Sequence, residues 1–178
     1  MTNAVIEKAL AQQPPEIRAI STGKIIQTLK ERRQYFADDV MEYYRFLAEI
    51  VDVTASDKTE LFDITRNDDG SILLKIFKIS KEGETETKMY EHLFDPQDTK
   101  EIRLYAFGGA DKFTVKGTND KIKIRMIGGE GVDHFEYAGN SGDGGIVYDS
   151  VRENNKITGR VKNKKPNDTI VTEYDPSN

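Results

Sequence analysis

Two stretches of the chain nearly repeat one another: Ile102-Arg-Leu-Tyr-Ala-Phe-Gly-Gly-Ala-Asp-Lys-Phe113 and Ile122-Lys-Ile-Arg-Met-Ile-Gly-Gly-Glu-Gly-Val-Asp-His-Phe135. Each opens on alternating apolar and polar residues, the period of a strand with one buried face. Each then breaks at a Gly-Gly pair, carries an aspartate, and meets an aromatic residue that opens a second strand. The Gly-Gly pairs begin at 108 and 128, so the unit is expected to recur after 20 residues. Glycine accepts positive φ and lets neighbouring backbone come close where a side chain would block it. The glycines therefore read as backbone geometry rather than chemistry. Stacked Gly-Gly/Asp β units are expected over 99–150, solenoid-like or sandwich-like.

Working outward, residues 59–94 carry the same two-residue period. Leu61 to Thr65 reads as a strand, Asn67-Asp-Asp-Gly70 as a turn and Ile72 to Ile79 as its hairpin partner. After Lys81-Glu-Gly-Glu84, Thr87 to Phe94 forms a third strand, giving an antiparallel meander with one packed face. Upstream, a short helix over Asn3 to Gln12 ends before Pro14-Pro15, because proline disfavours helical geometry in the residue ahead of it. Ser21 is then placed to cap a long helix over 21–52, with Ile25, Ile26, Leu29, Phe36, Val40, Tyr44 and Leu47 recurring at threes and fours. These elements predict an α+β chain. A helical part, 1–58, packs on the meander of a β part, 59–150, and a loosely ordered tail follows at 151–178, with one further strand at Lys156 to Val161. Thr169-Ile-Val-Thr-Glu-Tyr-Asp175 reads as an element that continues further, so the chain is expected to be a piece of a longer protein.

Composition narrows the function classes. The chain has 178 residues, a formal charge of −5 and a sequence pI near 5.2. Nucleic-acid binding, which needs a basic footprint against phosphates, is not expected. With no cysteine, disulfides, thiolate metal sites and cysteine nucleophiles are absent. No apolar run reaches the ~20 residues that span a bilayer as a helix. Met1 is followed by Thr-Asn-Ala-Val-Ile-Glu, without the charged start and apolar middle of a signal peptide.

The second Gly-Gly unit, Gly128-Gly-Glu-Gly-Val-Asp-His-Phe-Glu136, also fits the nonapeptide G-G-x-G-x-D-x-U-x, which in tandem array binds Ca²⁺ between turns. The chain holds one full copy, and the first unit puts Ala110 where an oxygen ligand belongs. Purely structural turns are thus the favoured reading, with no cofactor. Under the calcium alternative, Asp111, Glu130 and Asp133 are the metal-site candidates, followed by Asp143. The two histidines, His92 and His134, lack a second imidazole at ligand spacing. There is no G-x-S-x-G and no phosphate-cradling G-x-x-x-x-G-K. A hydrolase built on paired carboxylates is compatible with the abundance of Asp and Glu, but no two of them stand out.

The chain resembles the middle region of large outer-membrane proteins of certain Gram-negative bacteria. These join an N-terminal calcineurin-like metallophosphoesterase domain to a C-terminal surface-antigen β-barrel. The resemblance runs through Pro14-Pro-Glu-Ile17, Ile25-Ile-x-x-Leu-Lys-x-Arg-Arg33, Tyr43-Tyr-Arg-Phe-Leu47, Phe94-Asp-Pro96 and Thr99-Lys-Glu-Ile-Arg-Leu-Tyr105. Both Gly-Gly units, Val147-Tyr-Asp149 and Glu173-Tyr-Asp175 extend it over most of residues 4–175. The chain departs from the pattern at Ala106, where glycine is usual, and at Ala110, where a polar residue is usual; both weaken a cation site in the first turn. The resemblance implies a non-catalytic connecting module in the cell envelope, soluble itself and tied to the membrane only through the parent's barrel. Its partners would be neighbouring domains of the same polypeptide, met through the exposed edge of the last β unit. Phosphoesterase activity would belong to the neighbouring domain, since no metal motif of that enzyme lies in this chain.

Overall fold

The computed structural model describes residues 2–138, 145–149 and 154–164. The chain is α+β and divides into two compact units, Met1–Phe46 and Leu47–Asn178.

In the helical unit, α1 (Asn3–Leu10) is capped by Thr2, whose Oγ1 accepts from the Val5 N–H at 3.4 Å. A second helical segment starts at α2 (Pro15–Ile17), passes through one π-type turn at Arg18–Thr22 and continues as α3 (Gly23–Ala48). Ser21 is therefore not the cap expected from the sequence. Proline at the first helical position starts the helix earlier, where its missing N–H has no helical partner to lose. The Ser21 hydroxyl instead donates back to the Ile17 carbonyl. An ion pair from Glu7 to Lys30 and a 3.0 Å hydrogen bond from Thr22 Oγ1 to Gln13 Oε1 hold α1 against the start of α3. Ile6 is the one buried residue of α1, and α3 has none; Phe36 stays 66 % exposed.

The helix was expected to run to 52, but Ile50–Thr54 is β1. Ile50, Val51, Val53 and Thr54 are β-branched, which costs χ1 freedom in a helix and suits a pleated strand. The remaining elements are β2 (Glu60–Arg66), β3 (Ile72–Ile79), β4 (Thr85–Phe94), β5 (Glu101–Tyr105), β6 (Lys112–Lys116), β7 (Lys123–Ile127), β8 (His134–Tyr137), β9 (Gly145–Tyr148), β10 (Lys156–Thr158) and β11 (Lys162–Lys164). β10 falls in the strand expected at Lys156 to Val161, and β11 lies further along the segment expected to be loosely ordered. The expected element at 169–175 lies outside the described residues.

Apart from the β3–β4 hairpin, successive strands alternate between two sheets. One runs β1-β5-β7-β9-β11, entirely parallel; the other runs β10-β8-β6-β2-β3-β4. The chain thus coils: each rung contributes one strand to each sheet, and the next rung stacks on it in parallel. The repeat is 22 residues, not the 20 suggested by the Gly-Gly pairs. Ile102 pairs with Ile124, and Phe113 with Phe135, which in turn pairs with Ile157. In the first sheet the spacing tightens to 21 on the following rung, where Met126 meets Val147. The first rung, β1 and β2, is offset from the second by 51 residues, because the β3–β4 hairpin is inserted after it. That hairpin completes the expected antiparallel meander β2-β3-β4.

Register follows the buried side chains, because a one-residue slip would turn every apolar residue outward. Val53, Leu104, Met126 and Val147 form one inward column, and Phe62, Phe113, Phe135 and Ile157 another. The rings of Phe62 and Phe113 stack 4.3 Å apart at 10°, those of Phe113 and Phe135 4.9 Å apart at 13°. Both sheets and the hairpin close over one core, in which Ile64, Ile72 and Leu74 face Ile102, Leu104 and Ile124. The last strands on each sheet, β10 and β11, are three residues long and carry Lys156 and Lys162, a length and charge that discourage edge-to-edge pairing.

Candidate functional site: a buried carboxylate ladder

The turns that carry the chain from one sheet to the other stack as the strands do. Gly108 bridges to Glu130, so Gly109 aligns with Gly131 and Asp111 with Asp133. The two Gly-Gly pairs therefore occupy different turn positions. Gly109 and Gly131 both have φ near +125°, a region closed to ordinary L residues. A Cβ on Gly131 would lie 1.5 Å from the Gly109 carbonyl oxygen, so this position needs glycine on two counts.

Just before each of β6, β8 and β10 stands an acidic or amide side chain that reaches back one rung. Asp111 Oδ1 accepts the Glu60 N–H at 2.7 Å, Asp133 Oδ1 accepts the Asp111 N–H at 2.8 Å, and Asn155 Oδ1 accepts the Asp133 N–H at 2.8 Å. Four successive rungs are stitched by three bonds of the same kind. Each satisfies a buried backbone donor at the mouth of a strand, where an unmet N–H is costly. Glu60, Asp111 and Asp133 are all buried, at 0–1 % exposure. Asp149 is buried nearby: a Cβ on Gly128 would lie 2.1 Å from Asp133 Oδ2 and 2.9 Å from Asp149 Oδ2. Glycine at 128 thus makes room for two carboxylates, where the preceding rung has Ala106.

Electrostatics in the ladder are unusual. Burial, above all, pushes the Asp111 carboxyl up to about 8, and the neighbouring charges of Asp133 and Glu60 push the same way. Glu60 is also raised, chiefly by burial and further by Asp57, although its Ser56 hydrogen bonds pull it down. The outer face of the parallel sheet behaves oppositely. Burial raises Glu101 there, but hydrogen bonds and charge from Arg125 and Arg103 outweigh it and hold the carboxyl at about 2. Arg125 grips it with two bonds, Nε to Oε1 at 2.6 Å and Nη2 to Oε2 at 3.0 Å, and Arg103 Nε adds a third at 2.7 Å.

Of the metal candidates, the structure brings Asp111 and Asp133 into one ladder and leaves the Glu130 residue exposed on the turn between them. Asp143 lies outside the described residues. Among the described residues there is no group of three or more His, Asp or Glu side chains arranged to hold a metal ion. His92 packs edge-on against Phe94 in β4, and His134 stands on β8. An open groove of about 580 Å³ by the β3–β4 turn is lined by Asp57, Lys58, Lys78, Lys81, Glu82 and Glu86, of mixed sign and committed to no one ligand charge.

Sequence reading missed Glu60 and Asn155 as ladder members. Asn155 follows Asp111 and Asp133 at the same 22-residue step, a signal present in the sequence and masked by the more conspicuous Gly-Gly spacing. Glu60 was hidden by the inserted hairpin. No family model matches the chain, and no curated protein or solved structure matches it either. Among the described residues no helix is long and apolar enough to cross a membrane.

Proposed function

We propose that the chain is a connecting module: a rigid coil that sets the distance and orientation between neighbouring domains of a larger envelope protein, as its resemblance implies. The observation that carries this reading is the use of the turn residues. The turn glycines, and the carboxylates that under the calcium alternative were candidate ligands, hold one rung to the next, through backbone close approach and the Glu60–Asp111–Asp133–Asn155 stitches. A parallel coil suits a spacer because its length grows in fixed steps of one strand spacing, ~4.8 Å per rung. A flexible linker gives no such increment.

The test uses the longer polypeptide with a spin label on each flanking domain. Deleting residues 106–127 removes β6 and β7, one full rung, and joins Tyr105 to Gly128 in register. The distance distribution should stay narrow and shift by about one strand spacing; duplicating the same segment should move it comparably the other way. A broad distribution in the unaltered protein, or one that ignores both changes, would refute a spacer.

A further inference from the structure

The bond between the first and second rungs joins two buried residues that both carry carboxylates. Asp111 Oδ1 takes the Glu60 N–H, and Glu60 Oε1 takes the Ser56 hydroxyl. The second oxygen of each side chain, Asp111 Oδ2 and Glu60 Oε2, is buried without a hydrogen-bond partner. Two ionised carboxylates so placed would each leave a charged oxygen desolvated beside a like charge, an arrangement that side chains relieve by retaining a proton. Of the groups facing the pair, the carboxylates Asp57 and Asp133 add to that pressure, while the Ser56 hydroxyl opposes it at Glu60. The β1–β2 loop supplies Ser56 and Asp57, and the β7–β8 turn supplies Asp133, with Asp149 and the neutral Asn155 one rung further.

We propose that Glu60 and Asp111 share one proton, and that this proton latches the β1–β2 rung to the rest of the coil. The acid O–H of one carboxyl donates to the other, so the pair carries a single negative charge and titrates as a unit. Raising the pH passes that proton to hydroxide, leaves two buried charges in contact, and loosens this end of the coil. The latch is thus a pH-sensitive device in the module, and it goes beyond the spacer reading without depending on it.

The sign is the reverse of the usual aspartate. Asp111, at about 8 when folded against 3.8 in its ordinary state, keeps a proton that the unfolded chain has lost between those values. Stability from the pair is complete below about pH 4, declines as pH rises towards 8, and is level beyond.

The test is a carboxyl-carbon NMR titration of the full chain, with urea midpoints from pH 4 to 9.5 for the unaltered protein, Asp111→Asn and Glu60→Gln. Asparagine keeps the acceptor for the Glu60 N–H and puts a neutral donor where the shared proton sits. A shared proton predicts that the Asp111 carbon turns over near pH 8, and that the urea midpoint falls across the window. In Asp111→Asn that fall is lost, and Glu60 titrates as a single group. An Asp111 carbon turning over near pH 4 overturns the proposal. So does a midpoint at pH 8 that rises with millimolar Ca²⁺ in the unaltered protein and not in Asp111→Asn, which would assign the pair to a cation. Should Asp111→Asn not fold, the carbon titration of the unaltered chain decides alone.

Discussion

The helical unit and the coil use the same residue types to opposite ends. Phe36 on α3 is 66 % exposed, while Phe113 on β6 is fully buried between two other rings. Gly23 opens α3 with helical φ and nothing within 4 Å of its missing Cβ, while Gly131 is pinned by φ and by a carbonyl. Glu7 meets Lys30 at the surface, while Glu60 meets Asp111 in the interior. A helix satisfies its backbone within itself, so its side chains are left with little structural duty. A parallel coil bonds only to the next rung, so its turn residues answer to residues far away in sequence, 22 positions at Asp111–Asp133 and 51 at Glu60–Asp111.

Substitutions in matched pairs can break that contrast. The largest effect is expected at the rings: Phe113→Ala should cost about 3–5 kcal/mol by opening a cavity in the stack, and Phe36→Ala less than about 0.5 kcal/mol. Equal urea midpoints for the two would remove the claimed difference between the units. The glycines come next. Gly131→Ala should destabilise by at least ~2–3 kcal/mol through strain and collision, whereas Gly23→Ala should stabilise by about 0.5–1 kcal/mol. A mild Gly131→Ala would mean that the turn relaxes without loss.

A subtler contrast lies within the coil, between Glu101 and Asp111. Glu101 is held at about 2, so its contribution is present above the ordinary glutamate value of 4.5 and is lost as pH falls from there towards 2. Glu101→Gln should flatten the acid limb of a stability–pH curve and leave the limb between pH 4 and 8 untouched. Loss of both limbs in this variant would show that the two carboxylates are not independent. The smallest effect is expected at the exposed pair: Glu7→Gln should change stability by less than ~0.5 kcal/mol and should vanish in high salt.

Much of the coil was readable locally. The alternation in Ile102 to Tyr105, the turn at Asn67 to Gly70 and the long amphipathic pattern from Ile25 all depend on neighbours in sequence, and each forms the kind of element expected. Legibility failed where a choice of partner was involved. The meander reading stopped at β2–β3–β4 and did not see that β2 also pairs in parallel with β6. Of the ladder, Asp111 and Asp133 were singled out for their residue type, but as candidate ligands; their use as acceptors for backbone N–H groups one rung away is a property of the stack.

By itself, then, the sequence determined most element types, the alternation within each strand and the need for glycine in the turns, because φ preference and side-chain period are local properties. Only the tertiary structure decided the 22-residue register, the insertion of the hairpin after the first rung and the meeting of Glu60 with Asp111. Those depend on which distant strand satisfies a given backbone edge. The choice belongs to the burial of whole columns such as Phe62, Phe113 and Phe135, where each ring is worth keeping inside only if its neighbours are already there.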